Sequence, residues 1–305
     1  MKPITKMTLK ALSSIKFDIK KNYKFYRMAQ RLIAPPVKKN YKALDTKVMS
    51  GNREIPIRVF LPEVRSSDNV MIFFHGGGWV VGDIDSYTPV CSSLADALGQ
   101  TVISVDYSLA PENPFPQGVE DCYIATREIF QNTHLLGCSQ EDLILIGDSA
   151  GGNLAAVVSL MARDRGEFSP GRQILIYPAT NFDHTETSPF KSVQENGEDY
   201  LLTAERIQDY MDLYVPNLED RKHPYVAPLL SEDLSRQPKT LIITSEFDPL
   251  RDEGEAYGKK LRRAGNIVRI FQMKDALHGY LTNPLAQETI ESTYEIIRLF
   301  LHEEA

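Results

Sequence analysis

From residue 70 onward the chain alternates short, uninterrupted apolar runs with longer segments whose apolar residues recur at helical spacing. The runs are Val70-Met71-Ile72-Phe73-Phe74, 101–106, Leu143-Ile144-Leu145-Ile146, 172–177, 240–244 and 268–272. Strands covered on both faces have this pattern, and strands separated by helical segments predict a mostly parallel sheet flanked by helices. Upstream, 47–51 and 55–60 read as an antiparallel entry hairpin. Helices are expected at 153–165, at 255–264 and around His302 near the C-terminus. No internal repeat or low-complexity tract appears.

The rhythm breaks between 181 and 226. A polar stretch with Ser188-Pro189 stands where the next strand is due. A helical segment at 203–213 follows, with Tyr200, Tyr210 and Tyr214, and then Pro216, Pro224 and Pro228. An insertion here lies above the C-terminal strand ends, so it reads as part of a cap that excludes water and narrows the entrance. Leu9, Leu12, Ile15, Ile19, Tyr23 and Tyr26 fall three and four residues apart, the stripe of one or two amphipathic helices. The expected organisation is a catalytic core of 46–180 and 227–305, with 1–45 plus 181–226 forming the cap.

Two short motifs carry the chemistry. Gly147-Asp148-Ser149-Ala150-Gly151-Gly152 contains a G-x-S-x-G pentapeptide directly after the strand 143–146 and before the helical segment. A serine on such a strand-to-helix turn is held in a strained backbone conformation with its hydroxyl presented outward, and a side chain at Gly147 or Gly151 would collide with neighbouring backbone. Ser149 is therefore the candidate nucleophile. His75-Gly76-Gly77-Gly78-Trp79 ends the strand 70–74 in three glycines, which can turn backbone N–H groups toward a ligand. The Ala150 N–H at the helix start can join them. Gly76, Gly77 and Ala150 are assigned as the oxyanion hole. A phosphate loop would need a Lys followed by Ser or Thr, and neither is present. His75, at a strand end, is expected to brace the loop rather than act as a base.

The paired HGGGW and GDSAGG motifs resemble those of the hormone-sensitive-lipase-like family of α/β-hydrolases, most closely its bacterial acetyl-esterase group. Val105 to Glu112, reading VDYSLAPE, is similar to that family's DYRLAPE stretch, and Asp248 to Gly254, reading DPLRDEG, matches another. The resemblance runs from about Ile55 to the C-terminus. Ser108 stands where the family usually has Arg, and Tyr280 where Phe is common. The resemblance implies an α/β-hydrolase fold with a helical cap and a serine esterase needing no cofactor.

In this fold the acid and the histidine follow the serine in the chain. Of six histidines only His278 and His302 come late enough, and His302 falls on the terminal helix. His278, a short loop after the strand 268–272, is the expected general base. Candidates for the acid are Glu246, Asp248, Asp252 and Glu253, with Asp275 more remote. Asp248 is preferred because Pro249 ends the strand extension and fixes the turn, and because the family pattern puts its acid there. Asp252 and Glu253 are expected to cap the helix that follows. Trp79, Tyr107, Phe115, Tyr177, Phe182 and Leu250 adjoin the motifs and are the candidate pocket lining.

Composition narrows the class further. The 305 residues are 42% hydrophobic and 25% charged, ordinary for a soluble enzyme. The first forty residues hold eleven Lys and Arg against one acid, Asp18; removing that +10 from the net −7 leaves −17 on the rest. A basic helix packed on an acidic body is the expectation, rather than a membrane-binding or nucleic-acid arm. No signal-peptide core or membrane span stands out, and Cys91, Cys122 and Cys138 show no C-x-x-C spacing, which points to reduced thiols in a cytoplasmic protein with no metal site. The expected activity is hydrolysis of small-molecule esters of short acyl chains, acetyl to roughly hexanoyl. An amidase, formamidase or peptidase on the same residues and a non-catalytic ligand-binding module are the alternatives, with self-association left open.

Overall fold

The computed structural model describes residues 18–33 and 41–303. Among the described residues eight strands form one sheet: β1 (Lys42–Ser50), β2 (Arg53–Leu61), β3 (Val70–Phe74), β4 (Thr101–Val105), β5 (Leu143–Asp148), β6 (Arg172–Ile176), β7 (Lys239–Phe247) and β8 (Val268–Leu277). Their spatial order is β1-β2-β4-β3-β5-β6-β7-β8. Only the β1–β2 and β2–β4 pairs are antiparallel; β4 through β8 run parallel.

Alternate residues of the buried strands feed two cores. Ile72, Phe74, Val105, Leu145 and Leu175 face one cluster, and Met71, Phe73, Ile144, Ile146 and Ile243 face the other. The first is closed by α3 (Gln117–Gln131), α4 (Ala150–Arg165) and α7 (Arg251–Arg263), the second by α2 (Thr88–Leu98) and α8 (Gln287–His302). From Ala150 to Ala162, α4 is buried on every side, as its nearly all-apolar and small composition requires. This is the expected α/β-hydrolase architecture.

Some boundaries differ from expectation. β1 starts at Lys42, so a core beginning at 46 cuts through a strand; all but one of its first seven side chains are exposed, which hides it from a hydrophobicity pattern. β7 and β8 run three and five residues beyond the expected 244 and 272 to Phe247 and Leu277, carrying the chain toward Asp248 and His278. Helix α7 begins at Arg251 rather than 255.

Between β6 and β7 lie α5 (Lys191–Asn196) and α6 (Ala204–Tyr214). The N-terminal helix α1 (Ile19–Ile33) packs against α6 and is fastened to its surroundings by charge. Lys20 pairs with Asp209 and Asp212, at 2.8 and 2.5 Å. Arg31 Nε meets Asp83 at 2.5 Å. Arg27 donates to the carbonyls of Val80 and Ala110, both at 2.7 Å, and to both carboxylate oxygens of Glu112. Of the expected apolar stripe, Ile19, Tyr23 and Tyr26 face the core, while Leu9, Leu12 and Ile15 lie outside the described residues. Among the described residues no helix is long and apolar enough to cross a membrane.

Candidate active site

β5 runs at full burial into Ser149, whose backbone is left-handed at φ 55° before α4 begins. Few side chains tolerate that region, so surrounding structure must enforce it. Ser149 N–H donates to Ile176 O at 2.9 Å. A Cβ at Gly147 would meet the Gly151 carbonyl, and one at Gly151 the carbonyls of Phe74 and His75. Glycine at both positions is a steric condition for the turn.

Ser149 remains partly accessible, and its hydroxyl lies 2.9 Å from His278 Nε2. His278 Nδ1 is 2.8 Å from Asp248 Oδ2, and the fully buried Asp248 also accepts the Leu250 N–H at 2.9 Å on Oδ1. That leaves the imidazole with Nδ1–H bonded to the carboxylate and Nε2 facing the hydroxyl. A hydroxyl so arranged can pass its proton to the ring as it attacks an acyl carbon.

The other acids are engaged elsewhere. Glu246 accepts the Asp275 N–H at 2.7 Å. Asp252 and Glu253 stand in the first turn of α7 as expected, although neither makes a side-chain cap hydrogen bond there. Asp252 accepts the Ser192 N–H, and buried Glu253 takes the N–H groups of Thr180 and Asn181 and faces His184 Nε2 at 2.7 Å. These carboxylates also fasten the first part of the β6–β7 insertion, from Thr180 to Ser192, to α7. His302 ends α8 and lines a separate cleft.

The glycine loop departs from the assignment made above. The Gly76 N–H is spent on Asp148 Oδ1, at 2.8 Å, and Gly76 is buried behind the loop. Gly77 and Gly78, at φ 114° and 60°, are the two that line the cavity with Ser149 and Ala150. Among the described residues their amides and that of Ala150 donate to no protein acceptor outside regular secondary structure. Gly78 therefore replaces Gly76 in the set of candidate oxyanion donors. His75 is fully buried, its Nδ1 2.8 Å from Gly76 O, and burial lowers its pKa, so the ring is neutral and braces the loop. Trp79 follows with φ 59°, stacked flat on Tyr214 at 4.5 Å between centroids.

The cavity over Ser149 has a volume of about 170 Å³. Of the expected lining residues, Trp79 and Leu250 border it. Tyr107, Tyr177 and Phe182 do not: Tyr107 donates to the His75 carbonyl behind the loop, Tyr177 reaches beneath to Asp148, and Phe182 packs at the margin of the core under Lys222. Phe115 packs edge-on against Tyr214. Sequence reasoning missed Gln30 from α1 and Leu202, Ile207 and Tyr210 in and around α6, which form the opposite wall. It also missed Tyr87 and Asp148 below, although Asp148 sits inside the quoted pentapeptide.

Comparison with known proteins identifies the family. A family described as having the alpha/beta hydrolase fold matches residues 71–282. An arylesterase of Saccharolobus solfataricus is 34% identical over 268 residues, 86% of either chain. A carboxylesterase of Mycobacterium tuberculosis, NlhH, is 36% identical over 260 residues, 83% of this chain and 80% of its own. The structure of a hyperthermophilic esterase from the archaeon Pyrobaculum calidifontis superposes with a TM-score of 0.85 at 33% identity, covering 99% of both chains. Fold and relatives thus define a carboxylic ester hydrolase. The chain belongs to the hormone-sensitive-lipase-like family of α/β-hydrolases.

Proposed function

We propose that the chain hydrolyses short-chain carboxylic esters of small alcohols through an acyl-enzyme on Ser149. The Ser149 Oγ attacks the acyl carbon while His278 Nε2 takes its proton, and the resulting oxyanion is received by the N–H groups of Gly77, Gly78 and Ala150. The imidazolium, stabilised by Asp248, returns the proton to the departing alkoxide. Water then attacks the acyl-enzyme with His278 again as base, releasing the acid and restoring the serine. The observation that carries this reading is the continuous chain Ser149 Oγ, His278, Asp248 at 2.9 and 2.8 Å beside three uncommitted amides.

Cavity size supports the acyl range. An engineered protein cavity of about 150 Å³ holds one benzene. The 170 Å³ here, walled by Trp79, Leu202, Ile207, Tyr210 and Leu250, suits acetyl to roughly hexanoyl groups. We assign 41–180 and 227–305 to the catalytic core and α1 with 181–226 to the cap.

The test is intact-mass labelling with a small aryl phosphonate on the wild type and Ser149→Ala, joined to an aryl-ester series from acetyl to palmitoyl and a matched aryl amide. One phosphonyl group on the wild type, none on the variant, at least about a 10⁴-fold activity loss in the variant, and a maximum at or below hexanoyl are expected. An unlabelled wild type overturns the serine mechanism, a long-chain maximum the acyl range, and faster amide than ester turnover the reaction class.

A further inference from the structure

Asp148 is the carboxylate in the pocket lining to which the chemistry above gives no role. It is 2% exposed, and three donors from three separate elements converge on it. The Gly76 N–H meets Oδ1 at 2.8 Å; the hydroxyls of Tyr87, before α2, and Tyr177, after β6, meet Oδ2 at 3.1 and 3.3 Å. No Lys or Arg is among its partners within the described residues. A buried carboxylate without a cation is costly, so the protein tolerates a penalty at this position.

Its partners lead to both halves of the site. The Gly76 amide is the first N–H of the glycine loop; held inward by Asp148, it sets the peptide from which Gly77 and Gly78 turn to the cavity. The Tyr177 hydroxyl also accepts the Leu281 N–H at 3.3 Å, and its ring lies against that of His278 at 4.7 Å between centroids. The same hydroxyl thus grips the segment that carries the histidine.

We propose that Asp148 is a positioning residue whose ionised carboxylate sets the glycine loop through the Gly76 amide and the His278 segment through Tyr177. The proposal rests on the reading of Ser149 as nucleophile and of the loop amides as oxyanion donors. Ionisation matters because a carboxylate only accepts, and can take all three donors at once; a protonated acid or an asparagine carries its own hydrogens on one terminal atom and forces a donor to turn away.

The groups facing Asp148 are the Tyr87 and Tyr177 hydroxyls, the Gly76 amide and His278, with Cys91, Tyr107 and Tyr280 further out. Burial raises the pKa values of these tyrosines and of Cys91, so all stay protonated. Burial pushes the Asp148 carboxyl up to about 6 in spite of its donors and the nearby imidazole. In mildly acid solution the wild type therefore takes up a proton on Asp148 that slows turnover. Its kcat falls as pH drops through about 6.

The experiment uses the full chain with an acetyl aryl ester. Asp148→Asn is expected to lower kcat on the order of 10²-fold, comparable with losing an oxyanion donor, with KM within about twofold. It lacks the fall in kcat through about pH 6, and the phosphonate still labels Ser149, more slowly. Tyr177→Phe keeps the carboxylate but removes a donor, so kcat falls by roughly three- to tenfold and the acid limb moves to higher pH. An Asp148→Asn enzyme with unchanged kcat and an unchanged fall through about pH 6 overturns the proposal. If that variant does not fold, an unmoved acid limb in Tyr177→Phe does so. A wild type that the phosphonate leaves unlabelled sinks the serine reading instead, so the two failures are distinguishable.

Discussion

Beneath the cavity, Ser149 and the glycine loop ride on strand ends, and their partners are buried backbone groups and buried side chains. Above it, Gln30, Leu202, Ile207 and Tyr210 belong to α1, α6 and the turn before α6, and α1 is tied down by pairs that reach solvent: Lys20 and Arg31 have side chains 41% and 61% exposed. The two regions meet the same substrate under different physics. In the floor, close packing and desolvated hydrogen bonds leave no room for adjustment, and Trp79, Ser149 and Tyr177 are held there at positive φ. In the roof, each exposed ion pair contributes under about 1 kcal/mol and is screened by salt. A pocket built this way keeps its chemistry fixed and leaves its size adjustable.

Two neighbouring glycines separate the regions most sharply. A Cβ on Gly77 would collide with the Val81 carbonyl, backbone of the floor that cannot retreat, at φ 114°. A Cβ on Gly78 would meet the Tyr210 ring, a roof side chain, at φ 60°. Gly77→Ala is therefore expected to cost roughly 10²- to 10³-fold in kcat, the loss of an oxyanion donor. Gly78→Ala should cost less and recover in large part when combined with Tyr210→Ala, because αL alone burdens alanine by about 1–2 kcal/mol. Steady-state kinetics of the two singles and the double decide it; equal, unrescued losses would erase the distinction.

The same division explains what the sequence disclosed. The serine turn and the glycine loop are contiguous motifs whose steric needs act over a few residues, so both were legible, as were the strands that lead into them. Gly76 was misassigned because the direction of its amide depends on Asp148, 72 positions away and invisible to local pattern. Tyr107 and Tyr177 adjoin strand ends in sequence, yet their hydroxyls turn under the loop, a choice made by buried acceptors. Gln30 carried no signal at all: its Oε1 accepts the Gly82 N–H at 2.9 Å, a pairing 52 positions apart that exists only once α1 docks. Likewise β1 went half unseen because its side chains face solvent.

Charge gives the next contrast, between a carboxylate buried in the floor and cations exposed in the roof. Asp148 has a folded pKa of about 6 against an ordinary 3.8, so between these values the folded state binds more protons than the unfolded chain. Its contribution to stability is then fully present below pH 3.8 and is lost as pH rises through about 6. Over that span the stability of the wild type relative to Asp148→Asn should fall by on the order of 2–3 kcal/mol, read from urea unfolding at several pH values. A difference independent of pH would mean that the carboxyl is not burdened by its burial, and the floor would lose its claim to be a place where stability is spent on geometry.

The smallest effects belong to the roof's fastenings, and they should rank by burial. Arg27 is a side chain 23% exposed that joins α1 to the Val80 and Ala110 carbonyls, on the segments following the glycine loop and β4, and to Glu112. Arg31, its own side chain 61% exposed, pairs with Asp83 alone among the described residues. Arg27→Met keeps the apolar stem but strands two acceptors, costing about 1–3 kcal/mol of local docking. If α1 swings outward, Gln30 withdraws from the cavity wall, and the preferred acyl chain lengthens while kcat on acetyl esters changes only a few-fold. Arg31→Met should stay within about 0.5 kcal/mol of wild type, since a single screened pair at the surface contributes little. Molar salt should reproduce the Arg31 variant rather than the Arg27 variant, because its Debye length of about 3 Å screens exposed charges far more than partly buried ones. An acyl-length series on both variants, with and without salt, measures this directly. An unchanged profile for Arg27→Met would mean that α1 is held by its apolar face alone and that the charged fastenings do not set the pocket's reach.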